Sequence, residues 1–372
     1  MFISRRQFLG RAGTGLLLAE SQLLQAQRAS AMSLHEPSAP VPSQSKVAVI
    51  HGQERRKIVH DALAAIDEQI RPKLAGKRYV VIKPNGLGAE NPLASTHTDT
   101  LRGILDYLMP RFRGPVVIAE SSSGDTLEVF ERHHYEPLVA EYTKLSLTDL
   151  NREAKYKTLP LIDFDLHVTQ VRLAARLLDP DAFVIGAAIM KTHNTVIATL
   201  SVKNMVLGAP LHSAPGEAPE WSDKRKFHVG VRQTHYNMML AAQKLQPNWG
   251  VAVIDGFEGM EGEGPGSGTA VPSRIAIAST DYIAADRAAL EAMGINPAWI
   301  GYLTYCGQVG LGQYELDKID VVGANLASVK RSYRLHPDIQ RELKWMGPME
   351  GLPPILGELR RECQSNCGAE RS

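Results

Sequence analysis

Residues 79–86 read Tyr79-Val80-Val81-Ile82-Lys83-Pro84-Asn85-Gly86. An apolar, β-branched run closed by a Pro-Asn-Gly turn predicts a short buried strand with a polar end. A strand of this kind, apolar on both of its faces, belongs in a sheet covered on both sides. Upstream, Lys46-Val47-Ala48-Val49-Ile50 is a second such run. Between the two, Ile58, Ala62, Ala65, Ile66 and Ile70 recur at helical spacing over residues 54–71. Downstream, residues 97–109 predict a helix that Thr96 or Thr98 can cap, and Val116-Val117-Ile118-Ala119 is another strand.

The alternation continues to the end of the apolar part of the chain. Strands are expected at 182–186, 250–254, 274–278 and 319–323, with antiparallel additions near 158–171. Helices are expected from about Thr126 and over Tyr282 to Met293, where Gly294 stands at the C-cap position. The pattern predicts one large α/β core over residues 46–327, a mostly parallel or mixed sheet with helices on both faces.

The ends read differently. Ser4-Arg5-Arg6-Gln7-Phe8-Leu9, a short apolar stretch from Ala12 to Ala19 and the small-residue site Ala29-Ser30-Ala31 form the three parts of an export signal of the twin-arginine kind. The apolar stretch is shorter than the roughly 20 residues of a membrane span. Residues 1–31 are therefore expected to be a signal read by the twin-arginine translocation machinery, and residues 32–45 a Pro- and Ser-rich tether. The location expected is periplasmic or extracellular, with no membrane span left after cleavage. Residues 328–372 read as a polar C-terminal extension.

Composition narrows the function. Apolar residues make up 44% and charged residues 22%, as in ordinary globular proteins. A net charge of +1 gives no general pull towards nucleic acid. Only Cys306, Cys363 and Cys367 are present, whereas an iron–sulfur cluster normally takes four cysteines, so such a cofactor is not expected.

Ligands of open α/β sheets bind at the carboxyl ends of the strands, and polar groups gather there. Lys83 and Asn85 follow the first quoted strand. Glu120, Ser121 and Ser123 follow Ala119, before a helix start suited to an anion. Lys191 and His193 follow the strand around Val184, and Lys203-Asn204 come ten residues later. Lysines and a histidine together suit a carboxylate, phosphate or enolate. Finally, Asp255 to Gly268 holds six glycines and four carboxylates in fourteen residues. This acidic loop is neutralised either by a divalent metal, with Asp255 and Glu261 as ligands, or by Lys83, Lys191 and Lys203, or else it is a mobile surface loop. Phosphate-loop, EF-hand, HExxH and nucleophile-elbow spacings are absent.

Taken together, Val81-Ile82-Lys83-Pro84-Asn85, Ile118-Ala119-Glu120-Ser121, Lys191-Thr192-His193, Leu200-Ser201-Val202-Lys203-Asn204, Ile254-Asp255-Gly256, Met260-Glu261-Gly262-Glu263-Gly264-Pro265 and Ser279-Thr280-Asp281-Tyr282-Ile283-Ala284-Ala285-Asp286 resemble the bacterial and archaeal domain of unknown function 362. The resemblance covers roughly residues 78–323. It implies one globular core with its motifs at the strand ends, and no assigned activity. Some members carry a ferredoxin-type domain, whose cysteine pattern this chain lacks.

The expectation that follows is an exported enzyme acting on a small anionic substrate. Lys83, Asn85, Glu120, Ser121, Ser123 and Asn204 bind; Lys191, His193, Lys203 and Asp255 act, His193 as general acid or base. The alternatives are a non-catalytic anion- or cofactor-binding protein or accessory partner of an exported redox enzyme, and a structural exported protein whose acidic loop binds calcium.

Overall fold

The computed structural model describes residues 44–88 and 90–347. The signal, nearly all of the tether, Cys363 and Cys367 lie outside the described residues. Ten strands form one sheet, with eight on the main path. In chain order these are β1 (Ser45–His51), β2 (Tyr79–Lys83), β3 (Val116–Glu120) and β4 (Leu145–Asp149). A separate hairpin, β5 (Tyr156–Ile162) with β6 (Val168–Ala174), is followed by β7 (Ala182–His193) and β8 (Ile197–Thr199). Then come β9 (Trp249–Glu261), β10 (Thr269–Val271), β11 (Ile275–Ser279) and β12 (Ile319–Gly323). The spatial order is β12-β1-β11-β9-β7-β2-β3-β4, with β8 on β7 and β10 on β9.

Strands β9, β7, β2, β3 and β4 are mutually parallel. Only β11 runs against its main-path neighbours, and the sheet is mixed for that reason. Both faces are covered, as the apolar runs require. Val80, Ile82, Phe183 and Ile185 point into one buried cluster; Val81 and Val184 point into the other. That is the two-residue period of a strand with no polar face. Helices Arg55–Ala64, Asp67–Leu74 and Thr98–Leu108 cover the first side. Helices Ser201–Gly208, Val231–Leu245, Tyr282–Met293 and Gly301–Gln308 cover the second.

Several local readings need correction. The helix expected over 54–71 is two helices, broken at Ala65-Ile66. The cap of Thr98–Leu108 is neither threonine; His97 accepts from the Asp99 N–H through its ring nitrogen. Strand β7 runs seven residues past Gly186, so Lys191 and His193 lie on it rather than after it. Residues 255–261 of the expected acidic loop are likewise strand, the far half of β9. The described part of the polar C-terminal extension is packed rather than appended. Val329, Tyr333 and Trp345 are buried on the core, which extends beyond residue 327. A few large side chains hold a segment down even when its average composition is polar.

Candidate functional site

From β2 the chain builds outward through β3 to β4, then returns to β7 on the other side of β2 and proceeds to β9. Strand order reverses between β2 and β7. A crevice opens at the carboxyl ends of parallel strands at such a reversal, and ligands bind there. Lys83 ends β2, Glu120 ends β3, Asp149 ends β4, and Lys191 and His193 lie near the end of β7.

Lys83 and Glu120 form a buried pair, 0% and 1% exposed. The Lys83 ammonium donates to both Glu120 oxygens at 2.9 and 3.0 Å, to the Pro84 carbonyl at 2.9 Å and to Asn204 Oδ1 at 3.3 Å. The Gly86 and Ser121 N–H groups donate to the same carboxylate at 2.9 and 2.8 Å. This degree of satisfaction is what a desolvated pair needs. Gly208 makes room for it, since a Cβ there would lie 2.1 Å from Lys83 Nζ.

Lys191 is wholly buried, and its Nζ donates to the carbonyls of Ala94 at 2.6 Å and Pro265 at 3.2 Å. Among the described residues no carboxylate bonds it, and Glu120 acts on it only at longer range. Burial, then Lys203, pushes its ionisation well below the ordinary lysine value. The Pro265 carbonyl reaches it because the glycine-rich loop lies against β7; a Cβ on Gly264 would come 2.0 Å from the Thr192 carbonyl. The glycines thus serve close backbone approach.

Lys203 is partly exposed on the helix Ser201–Gly208. Among the described residues its Nζ has no hydrogen-bond or ion-pair partner. Burial and Lys83 lower it to about 8, and Glu120 opposes them. Lys224, which the sequence reading missed, joins the group. Its Nζ donates to the Leu207 carbonyl at 3.1 Å, and burial above all lowers it to about 7. It lies in a stretch without periodicity, so only the fold could bring it here.

His193 is buried, and its Nδ1 accepts from the Thr195 N–H at 3.1 Å. Burial, then Lys203, His228, Lys191 and His336, holds it well below its usual value. The ring is therefore neutral at pH 7 with its proton on Nε2, a hydrogen-bond donor. Two further polar atoms near these residues in the chain are buried and unpartnered, Asn85 Oδ1 and Asn204 Nδ2. Among the described residues the site thus holds four lysines, one neutral histidine and the single carboxylate Glu120, with Asp149 farther off.

Other predicted residues go elsewhere. The Ser121 hydroxyl is occupied structurally, bonding Asn151 Oδ1 and the Pro210 carbonyl, both at 2.9 Å. Ser123 is exposed, and its hydroxyl only receives the Gly88 N–H at 3.4 Å. Asp255 is not with the lysines. It accepts from the Thr100 hydroxyl at 2.5 Å and the Phe257 N–H at 2.9 Å, and pairs with Arg55 at 3.2 Å. Glu261 accepts from the Arg334 N–H at 2.8 Å and faces its guanidinium at 3.5 Å. Arginines on distant segments, not the three lysines, neutralise both carboxylates. Among the described residues no group of three or more His, Cys, Asp or Glu could hold a metal. Cys306 is free and buried, and burial raises its thiol.

The helix carrying Lys203 and Asn204 is held by Asp286, whose carboxylate accepts the Ser201 N–H at 2.8 Å, the Val202 N–H at 3.1 Å and the Ser201 hydroxyl. Asp286 belongs to the last motif of the family resemblance, and its role was not legible there.

Comparison with known proteins adds a family and little biochemistry. The chain is 24% identical over 236 residues to the thylakoid-associated protein sll1697 of Synechocystis sp., covering 62% of this chain and 68% of that one. A solved structure of a Thermotoga maritima protein matches with a TM-score of 0.41 at 10% identity, over 70% of this chain and 60% of that one. No helix among the described residues is long and apolar enough to cross a membrane. The model of the domain of unknown function (DUF362) matches residues 80–291, more than half of the chain and every strand end that builds the lysine cluster, and the protein belongs to that family.

Proposed function

We propose that the chain is an enzyme that binds a small carboxylate or phosphate at the carboxyl ends of β2 and β7. The observation that carries this reading is the unpartnered Lys203 amine among Lys83, Lys191 and Lys224, with one buried carboxylate in reach. Uncompensated positive charge at low dielectric is costly, and an anion relieves it. In this reading Lys203 contacts the anion, and Asn204 Nδ2 and His193 Nε2–H donate to it. A lysine near 8 also serves proton transfer near neutral pH. Asp255 and Glu261 are left out of the mechanism and keep a structural role. Export through the twin-arginine route is part of the same proposal; it rests on the N-terminal motif alone, outside the described residues.

The test is a melting-shift screen of small carboxylates and phosphates on the purified chain. A ligand at a hundred times its Kd stabilises by about 2.7 kcal/mol, which is easily read. Lys203→Met should keep the fold and lose the shift. An equal shift in wild type and variant would remove Lys203 from the site.

A further inference from the structure

Resting on that anion-site reading, we infer that Lys203 is an amine nucleophile and that the substrate is a 2-oxo acid, captured as an imine on Lys203 Nζ. Four lysines are present, but their situations differ. Lys83 is tied to Glu120 by two hydrogen bonds. Lys191 Nζ donates to the Ala94 and Pro265 carbonyls, and Lys224 Nζ to the Leu207 carbonyl. Among the described residues Lys203 alone of the four is untied, and it is partly open while Lys83 and Lys191 are wholly buried.

Nucleophilic attack by an amine needs an unprotonated nitrogen with a free lone pair and access to the carbonyl. A neighbouring cation in a desolvated site supplies the first condition. Burial, then the neighbouring Lys83, does this for Lys203, lowering it to about 8. Of the other three, Lys224 is partly open and held by a single carbonyl, so it is the one left for the carboxylate of the same substrate. The buried, unpartnered Asn204 Nδ2 is a further donor one residue away in the chain. His193, neutral and protonated on Nε2, can donate to the carbonyl oxygen without competing as a base.

The step balances without a co-reactant. The Nζ lone pair adds to the keto carbon and the carbonyl π pair moves to oxygen. The two amine hydrogens leave with that oxygen as water, and C=N replaces C=O. No oxidant or reductant is needed, and protonation of the imine yields an iminium, an electron sink for bond cleavage at the neighbouring carbon.

The experiment is reductive trapping on the full chain. Wild type, Lys203→Arg and Lys203→Met are incubated with pyruvate or 2-oxoglutarate and sodium borohydride, then digested and mapped by mass spectrometry. Lactate and succinate, which lack the ketone, serve as controls, and circular dichroism confirms that each variant is folded. The expected result is a keto-acid adduct on Lys203 in wild type, absent from both variants and both controls. Its yield should rise between pH 7 and 9 as the amine deprotonates. An adduct on Lys191 or Lys224 that persists in Lys203→Arg would overturn the assignment. A melting shift with pyruvate but no adduct would overturn the imine and leave the anion site standing. Neither shift nor adduct would remove both.

Discussion

Among the described residues Lys83 and Glu120 form the most deeply buried ion pair, and losing one partner is costly because neither ion can be hydrated where it lies. Replacing Glu120 by Gln keeps the shape but leaves a buried ammonium without its counter-ion. Breaking such a pair from one side costs about 3 to 5 kcal/mol. Urea denaturation of Glu120→Gln should show a drop of that size; a change below 1 kcal/mol would mean that Lys83 is neutral in the folded state. The sequence showed both residues at strand ends. It could not show that they bond each other, since they are 37 positions apart and meet only because β2 and β3 are neighbours.

Two of the lysines make a prediction in pH. Lys203 at about 8 and Lys224 at about 7 lie below the unfolded value of 10.5. Between those values the unfolded chain binds more protons than the folded one, so stability rises with pH. The contribution is present above 10.5 and lost as pH falls through 8 and then 7. A bound anion favours the ammonium form, so affinity should be greatest below about pH 7 and weaken as pH rises through about 8. Melting curves from pH 6 to 10, with and without phosphate, check both signs. A phosphate shift that grows with pH would contradict the lysine site.

At the scale of elements, the helix Ser201–Gly208 presents Lys203 and Asn204, and a carboxylate from another helix fixes its start. Asp286 occupies the place of an N-cap without being one in sequence, for it lies 85 residues from Ser201. Asp286→Ala strands two buried N–H groups and a hydroxyl. The expected loss is about 2 kcal/mol or more, from the lost cap together with the unsatisfied donors. Anion binding should weaken with it. Denaturation and the phosphate melting shift measured on the same variant test this; a stable protein with unaltered binding would show that the helix start is held otherwise. The sequence located the apolar strands and the helix Tyr282–Met293 well because burial on both faces and a capped helical period leave plain marks. It missed the lengths of β7 and β9, whose far ends are polar and glycine-rich yet still pair, Lys191 with Thr199 and Met260.

At the scale of the whole molecule, the segment after β12 folds back over the core. The Trp345 ring lies 5.4 Å from His235, its N–H donates to the Trp299 carbonyl at 2.7 Å, and Tyr333 is bonded to Ser273. The Arg341 guanidinium bonds the Asn194 carbonyl at 2.6 Å, next to His193. Trp345→Ala should cost about 3 kcal/mol, read by chemical denaturation, because it opens a void in packed surroundings. A loss within 0.5 kcal/mol would return this segment to the status of a loose extension.

By itself the sequence determined the fold class, the strand ends on which polar groups stand and the family, because solvent exclusion imprints a period and a composition on each segment locally. Which charges meet was decided only by the tertiary structure. Lys83 and Lys191 stand on neighbouring strands, the helix after β8 adds Lys203 and a separate loop adds Lys224, whereas Asp255 and Glu261 are drawn away by arginines from remote segments. Coulomb energies depend on distance in space and on burial, and neither can be read from distance along the chain.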